Sequence, residues 1–507
     1  MKFYEIDGAL QDAIAAGDKP VRLKIEIQLN GHFESVFEQD IIEANFFGLK
    51  EAAGGVSSRG EILLSGNSEQ LIGNSGGENW VGREVRVSFT IGEGLQYFQR
   101  FRFFIDEKGI QDIRGPGRRR MVRLGLRDLS AKLRKTDEAR DWTSPAVFTY
   151  SVICDKTQPD KSLVHGIAKR AGLAVSDIDC STIPVTLPYV RLRRNTWAEL
   201  SSMATAYRCH LECAPEKPLV FAHSPYQSEQ LEMSSEECSY TFKGEDIFYF
   251  RKIERNDFYK NTVRLKLNIP VSLEKQEIWN YEDQPVMYDD LFNAYYPFRN
   301  PLVREIEQSG YEAKYKVKDK SEKVIGERPV VYADLIDTKE EAESRLQYIG
   351  GSFSYSSYDT TTHTDRAILS IKKEADGDLY RASIHGRPIV LDLNRSCFMR
   401  DAEAVNNYGT VALNVTGSYF SEYEINGRPH YEDWVIRELA ERIKNNREFT
   451  VKTHRGLFNA RVGARVKVAV SREQVAGVIT ALSLRYRKDK AFIAAFRIKE
   501  QGAINRE

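Results

Sequence analysis

Length, composition and charge set the first limits on this chain. Its 507 residues are 41% hydrophobic and 11% aromatic, which predicts about three domains with hydrophobic cores of their own. The 73 basic residues equal the 73 acidic ones, so no overall field draws the chain to nucleic acid or to an anionic membrane.

The cysteines and the N-terminus indicate the cellular compartment of the protein. The six cysteines are spread thinly and form no C-x-x-C pair, which argues against a disulfide framework and a zinc ribbon. The N-terminus lacks the apolar segment of a signal peptide, and no run reaches the roughly 18 apolar residues of a membrane span. We therefore expect reduced thiols in a protein that stays in the cytoplasm or leaves it by lysis.

The first third of the chain has the pattern of a β-barrel or sandwich with one short helix. Residues 8–16 predict that helix, and residues 21–29 alternate so regularly between apolar and polar that they predict a strand. Further strands are predicted at residues 40–45, 60–67, 81–87, 97–105 and 122–127. Asp128 is placed to cap a closing helix. We assign residues 1–148 to an N-terminal β module.

Residues 149–240 have the pattern of a small α+β domain. Asp160 is predicted to cap a first helix, with Gly172 at the position just after its end. Thr196 is predicted to open a second helix, with Glu199 completing a capping box. A hairpin follows at residues 209–213 and 219–221.

Residues 241–507 predict a second β module with an aromatic-rich insertion at about 274–365. Thr338 and Glu341 form a capping box for a helix that is expected to reach Ile349, and residues 350–365 are expected to be a loop. Strands are predicted at residues 368–372, 378–384 and 389–393. Residues 431–446 have the periodicity of a helix lying on a core.

A short pattern near the end of the chain repeats one near its start. Residues 81–87 and 462–468 both read Val-Gly-x-x-Val-basic-Val, and both precede a turn and a longer strand. The repeat predicts an internal duplication. We take Gly82, Val85, Gly463 and Val466 as candidate assembly residues, together with Trp434.

The segment around Cys209 offers the ligand types of a zinc site, since Cys209, His210 and Cys213 lie close together and His223 is near. Cys209 and Cys213 share one face of a predicted strand with Leu211, however, and there is no second cysteine pair. Core thiols fit this pattern better, so we predict no metal site.

The densest basic patch could touch nucleic acid. It comprises Arg114, Arg118, Arg119, Arg120, Arg123 and Arg127. Arg123 and Arg127 lie on the solvent side of an alternating strand, where a charged face needs no ligand. A solvated surface or a subunit interface is therefore the favoured interpretation, here and for the smaller patch of Arg191, Arg193 and Arg194.

Catalytic patterns are weak. Residues 73–77 read G-x-S-x-G, but a nucleophile elbow needs a strand before the serine and a helix after it, whereas a strand follows Ser75. Acidic pairs such as Asp106-Glu107 and Asp289-Asp290 are expected by chance in so acidic a chain. The aromatic cluster from Trp279 to Phe298 suits either a sugar platform or docking on a neighbouring subunit. We predict no catalytic and no cofactor-binding residues.

The order of these parts resembles the tail hub proteins of tailed phages and related contractile injection systems. The first β module closes in Leu-Arg-Asp-Leu-Ser-Ala-Lys-Leu at 126–133, and the α+β domain carries the helix pattern of 160–172 and Asn-Thr-Trp-Ala-Glu-Leu at 195–200. The closing unit has Asn-Tyr-Gly at 407–409, then a helix, then a strand before Gly463. Ala464 stands where the family commonly has an aspartate.

The resemblance implies a structural virion protein that is not an enzyme. Two tube-like β modules flank the helix-hairpin domain, and three subunits form a pseudo-sixfold ring that adapts a hexameric tail tube to a trimeric tip. The implied partners are two further copies, a tail tube or distal tail protein, a tape-measure protein and spike or fibre proteins. DNA passes only through the channel, and the location is the virion tail tip, after synthesis in the host cytoplasm.

Two other function classes stay open. One is a tail-tip cell-wall hydrolase, either a glycosidase or a peptidase, although the chain ends at Glu507 directly after its β module and we expect no appended enzyme domain. The other is a nucleic-acid-binding protein that uses the patch between Arg114 and Arg127.

Overall fold

A computed structural model gives the fold of the chain. It describes residues 2–503 except 18, 30, 37, 52–53, 66–80, 115–119, 136–146, 193, 224–237, 255–258, 268, 273, 283–295, 300–313, 319–323, 336–337, 360–365, 376–377, 393–395, 418, 422–423, 426–427, 445–446 and 471–472.

The first 240 residues contain the predicted helices and strands, together with strands at 32–36, 147–154, 178–180 and 183–191 that were not predicted. The N-terminal part consists of α1 (Gly8–Ala16), β1 (Val21–Leu29), β2 (His32–Val36), β3 (Ile41–Lys50), β4 (Gly55–Ser65), β5 (Glu84–Ile91), β6 (Phe98–Arg114), β7 (Arg120–Arg127) and α2 (Leu129–Lys135). The α+β part consists of β8 (Val147–Cys154), α3 (Leu163–Arg170), β9 (Ile178–Cys180), β10 (Ile183–Arg191), α4 (Thr196–Ala206), β11 (Cys209–Glu212) and β12 (Leu219–His223).

The remainder is also mostly strand. Its first half consists of β13 (Tyr240–Lys243), β14 (Tyr249–Glu254), β15 (Thr262–Leu267), β16 (Ile269–Ser272), β17 (Gln276–Glu282), β18 (Tyr296–Arg299), β19 (Lys314–Lys318), β20 (Val324–Leu335), α5 (Lys339–Glu343), β21 (Gln347–Ile349), β22 (Ser352–Asp359), β23 (Arg366–Ala375), β24 (Asp378–Asp392) and β25 (Ser396–Arg400). Its second half consists of α6 (Ala402–Tyr408), β26 (Ala412–Gly417), β27 (Glu424–Ile425), β28 (Arg428–Pro429), α7 (His430–Lys444), β29 (Arg447–Thr453), β30 (Arg465–Val470), β31 (Glu473–Arg487) and β32 (Ile493–Ala503).

One long sheet joins the two ends of the chain. Its main path runs β14-β29-β32-β31-β3-β4-β7-β6-β5-β1-β2, and β9, β11, β12, β13 and β30 attach to it at the sides. The link between the halves is the antiparallel pair of β3 and β31, in which Phe46 lies opposite Leu484. A mainly β fold with an α+β insert is therefore confirmed.

Two hydrophobic cores lie on this framework. The first is filled from both ends of the chain, and the ring of Phe89 from β5 stacks on that of Phe458 from the C-terminal part at 5.4 Å. The second joins the α+β domain to β15 and α7, and it holds Trp197, Val263 and Trp434. The division into domains at residues 148 and 240 stays a prediction. Among the residues that the structure describes, no helix is long and apolar enough to cross a membrane.

Two predicted helix caps were wrong by one or two residues. Ser162, and not Asp160, caps α3, because Asp160 lies in a separate 3-10 turn behind Pro159 while the Ser162 hydroxyl accepts the His165 N–H. Asn195, and not Thr196, caps α4, because its side-chain oxygen accepts the Ala198 N–H. Asp128 does cap α2, where its carboxylate accepts the Ser130 N–H at 3.1 Å.

The structure corrects three predictions in the insertion and the segment that follows it. The Thr338–Glu341 capping box is present, but α5 ends at Glu343, and residues 347–349 form β21. Half of the loop predicted at 350–365 is β22, where serines and aromatic residues pair with β23. The two strands predicted between 378 and 393 form one strand, β24, which β16, β17, β20 and β21 all pair with.

Candidate assembly surfaces

The two Val-Gly repeats form the same backbone structure. Gly82 and Gly463 both lie in the left-handed region, with φ of 81° and 88°. The Gly82 N–H donates to the Ile105 carbonyl at 2.8 Å, and the Ile105 N–H donates to the carbonyl of Arg83. The Gly463 N–H donates to the Ile479 carbonyl at 2.7 Å, and the Ile479 N–H donates to the carbonyl of Ala464. The repeat is therefore structural as well as sequential.

The strands that follow each repeat also correspond. Behind Gly82 the sheet order is β5-β6-β7-β4-β3, and behind Gly463 it is β30-β31-β32-β29-β14. Ile105 pairs with Leu126 in the first set, and Ile479 pairs with Ile498 in the second. Each step between neighbouring strands in both sets is antiparallel. The chain thus contains two equivalent five-strand units.

Four of the predicted assembly residues belong to these units, and the fifth, Trp434, lies in α7. The side chains of Val85 and Val466 are fully buried, and Gly463 is buried while Gly82 is exposed. Trp434 is buried in the second core, where its indole N–H donates to the Thr205 carbonyl at 3.1 Å. These side chains can shape the modules from within, and their role in assembly stays a prediction.

The junction between the units lies on β31, where this long strand pairs first with one neighbouring strand and then with another. β30 pairs with β31 up to Val478, and β3 pairs with β31 from Ala481 onward. Glu43 of β3 clamps this junction, because its carboxylate lies 2.7 Å from Arg485 and 2.9 Å from Arg487. Burial raises the pKa of Glu43, but hydrogen bonds from Asn45, Arg485 and Arg487 outweigh it and hold the pKa below its usual value.

The corresponding edges at the far ends carry no partner among the described strands. The pairing of β5 with β6 ends at Phe104, and beyond it β6 continues to Arg114 with β7 on one side only. β14 pairs with β29 and with no second strand in the described part. Beside this edge lie two exposed aromatic side chains, those of Phe248 and Tyr249. Because the two units correspond, β14 occupies the same position in the second unit that β3 occupies in the first.

Comparisons with known proteins found similar solved structures. No protein-family model and no curated protein matches the chain. Among solved structures, a tail protein of Neisseria meningitidis MC58 is 8% identical, covers 95% of this chain and 97% of its own, and has a TM-score of 0.47. The 43 kDa tail protein of prophage MuSo2 from Shewanella oneidensis is 10% identical, with coverage of 94% and 98% and a TM-score of 0.46. The chain is similar to phage tail proteins. This is the resemblance that its sequence predicts.

More distant structures carry similar names. A prophage tail protein of Listeria monocytogenes EGD-e is 8% identical, with coverage of 94% of both chains and a TM-score of 0.40. A component of the type VI secretion system of E. coli is 6% identical, covers 90% of this chain and 73% of its own, and has a TM-score of 0.36.

A buried ionic cluster ties the α+β hairpin to both ends of the chain. Glu212 of β11 accepts from the Tyr4 hydroxyl at 3.1 Å and from His210 Nε2 at 2.9 Å, and it pairs with Arg461. Burial raises the pKa of Glu212, but His210 and Arg461 lower it far below its usual value. His210 is thus engaged with a carboxylate, while Cys209 next to it is a buried thiol.

The basic patch is neutralised where the structure describes its side chains. Arg123 pairs with Glu61 at 2.8 Å, and Arg127 pairs with Asp106 at 3.1 Å. In the second patch, Arg194 pairs with the buried carboxylate of Glu199 at 3.0 Å. These contacts favour a structural role for the described arginines over contact with a polyanion. Arg118, Arg119 and Arg193 lie outside the described residues.

Other sequence candidates fall partly outside the described residues. The G-x-S-x-G segment at 73–77, the Asp289-Asp290 pair and the aromatic residues at 288, 292 and 295 lie outside them. Trp279 and Tyr281 lie in β17, and Phe298 lies in β18. Sequence reasoning missed the free edges, which only the pairing of distant strands reveals.

Proposed function

We propose that the chain is a structural hub protein of a phage-like tail tip, three copies of which close a ring of six β units. The solved structures named above have TM-scores below 0.5, so the two equivalent units of this chain carry the proposal. Each unit would occupy one sixth of the ring, which lets a trimer with threefold symmetry meet a sixfold tube.

The β3–β31 junction is the observation on which the ring depends. It joins the last strand of one unit to the long second strand of the other. The same join between subunits places β14 of one copy against the outer part of β6 of the next. Such a contact is head to tail, and it forms a closed ring when the rotation per unit divides a full turn.

Ring closure would also supply pairing partners for the free strand edges. An unpaired strand edge exposes a row of N–H and C=O groups that invites uncontrolled pairing with other chains. Closing the ring satisfies the edges of β14 and β6 together. A closed ring of strands then encloses a channel, through which a tape-measure protein and DNA would pass. A tail tube and a spike or fibre protein would bind its two ends.

The mass of the purified protein in solution tests the proposal. Light scattering should give three times the chain mass of 58.0 kDa, and electron microscopy should show rings with six similar lobes. A monomer that persists at the highest soluble concentration would contradict it. The proposed absence of enzyme activity is tested separately, since purified cell walls should keep their turbidity when the protein is added.

A further inference from the structure

Two cysteines and a histidine from three different elements converge inside the α+β domain. Cys154 ends β8, His165 lies in the first turn of α3, and Cys180 ends β9. Their Sγ and ring nitrogen atoms all lie within 4.8 Å of one another. All three side chains are buried, with 0%, 4% and 1% of their surface exposed. Fold geometry, and not nearness in sequence, brings them together.

The helix cap orients the imidazole toward the sulfur atoms. The Ser162 hydroxyl accepts the backbone N–H of His165 and lies 2.7 Å from its Nδ1. The other ring nitrogen, Nε2, therefore faces Cys180, whose Sγ is 4.0 Å away. Metal-binding histidines commonly have their second ring nitrogen held by such a hydrogen bond, which fixes the tautomer and the ring plane.

The spacing of the three ligand atoms suits a small cation, since all lie within 4.8 Å of one another. The thiolate is the form of cysteine that binds metal ions. A tetrahedral zinc ion, with bonds of about 2.3 Å to sulfur and 2.0 Å to nitrogen, needs roughly 3.6 Å between sulfur and nitrogen. The observed separation is within reach of a small side-chain movement.

We propose that Cys154, His165 and Cys180 bind one zinc ion, with a small donor such as water in the fourth position. The ion would fasten α3 to the ends of β8 and β9, and its binding would release the thiol protons. The site does not depend on the proposed role in a tail. It differs from the Cys209 segment considered above, since His210 there contacts Glu212.

Metal analysis of the full-length wild-type protein tests the site. Protein from zinc-supplemented cells, exhaustively dialysed, should contain about one zinc per chain by mass spectrometry of the elements. Replacement of zinc by Co²⁺ should produce a sulfur-to-cobalt charge-transfer band. Wild-type protein with neither zinc nor that band after incubation with Co²⁺ would overturn the proposal, whatever its variants do.

Variants then assign the ligands. Cys180→Ser should lower the zinc content about tenfold, whereas Cys238→Ser, which changes a half-buried thiol elsewhere, should leave it unchanged. His165→Cys keeps a ligand and should retain most of the metal. Equal zinc in wild type and folded Cys180→Ser would place the ion elsewhere and refute this site. If Cys180→Ser does not fold, His165→Ala takes its place. Loss of the cobalt band in that variant would support the site, and an unchanged band would refute it.

Discussion

At the residue scale, two glycines determine how each β unit begins. Gly82 and Gly463 hold a left-handed backbone conformation that a side chain with a Cβ disfavours. That conformation turns the chain so that the glycine N–H donates to the carbonyl of an isoleucine in the second strand of the unit. The alternating valines behind each glycine then face the core.

Alanine at Gly82 isolates this backbone effect. An added Cβ would meet no atom within 4 Å, so Gly82→Ala should lower the free energy of unfolding by about 1–2 kcal/mol through backbone strain alone. Gly8→Ala is the matched control, since its surroundings are equally open and its φ is negative. Urea denaturation measures both, and equal effects of the two changes would contradict the prediction.

His430 makes stability depend on pH. Burial lowers the pKa of His430 to about 4, and its ring stacks on Tyr207 at 4.5 Å. The unfolded side chain titrates near pH 6.5, so protons favour the unfolded state as the pH falls from about 6.5 to about 4. We expect this group to remove up to about 3 kcal/mol of stability over that range. The urea midpoint of His430→Phe, compared with wild type at neutral and acidic pH, should show a smaller loss on acidification. Equal losses of stability in both proteins would show that His430 does not cause the pH dependence.

At the element scale, the correspondence between the units predicts a register for the contact between subunits. Phe46 of β3 lies opposite Leu484 of β31. Counting strand by strand from Ile105 and Ile479, Lys252 of β14 corresponds to Phe46 and Asp112 of β6 corresponds to Leu484. Residue types of opposite charge are thus expected to face each other across the boundary between copies.

A cysteine pair tests this register. Opposite residues of an antiparallel pair have Cβ atoms about 5 Å apart, which a disulfide can bridge. The double variant Lys252→Cys with Asp112→Cys should form disulfide-linked oligomers on mild oxidation, visible on a denaturing gel. Lys252→Cys with Ile113→Cys should not, because neighbouring residues of a strand point to opposite faces of the sheet. Cross-linking of the second pair alone would show a register shifted by one residue.

At the scale of the whole molecule, buried charge fixes the α+β domain to the β units. Glu212 receives hydrogen bonds from Tyr4 and His210 and pairs with Arg461, so it joins residues more than 200 positions apart. A buried pair of this kind adds little over an apolar contact, but removal of one partner leaves the other charge stranded.

The variant Glu212→Gln should therefore be costly. With Arg461 left unpaired in the interior, we expect a loss of about 3–5 kcal/mol of stability. Glu61→Gln, which breaks the half-exposed pair with Arg123, should cost less than about 1 kcal/mol. Thermal unfolding of the two variants gives the comparison. Similar melting temperatures of the two variants would mean that Glu212 does not fix the α+β domain to the β units.

The sequence by itself determined the local structure and the presence of a repeat. The alternation of residues 21–29 and the helix at 8–16 follow from contacts within a few residues, and both were predicted with their observed bounds. The repeat at Gly82 and Gly463 was found for the same reason. Only the tertiary structure decided that β3 pairs with β31, which edges lack a partner among the described strands, and that Cys154, His165 and Cys180 meet. Those outcomes depend on which distant segments the cores bring together, and no local pattern encodes a partner more than 400 residues away.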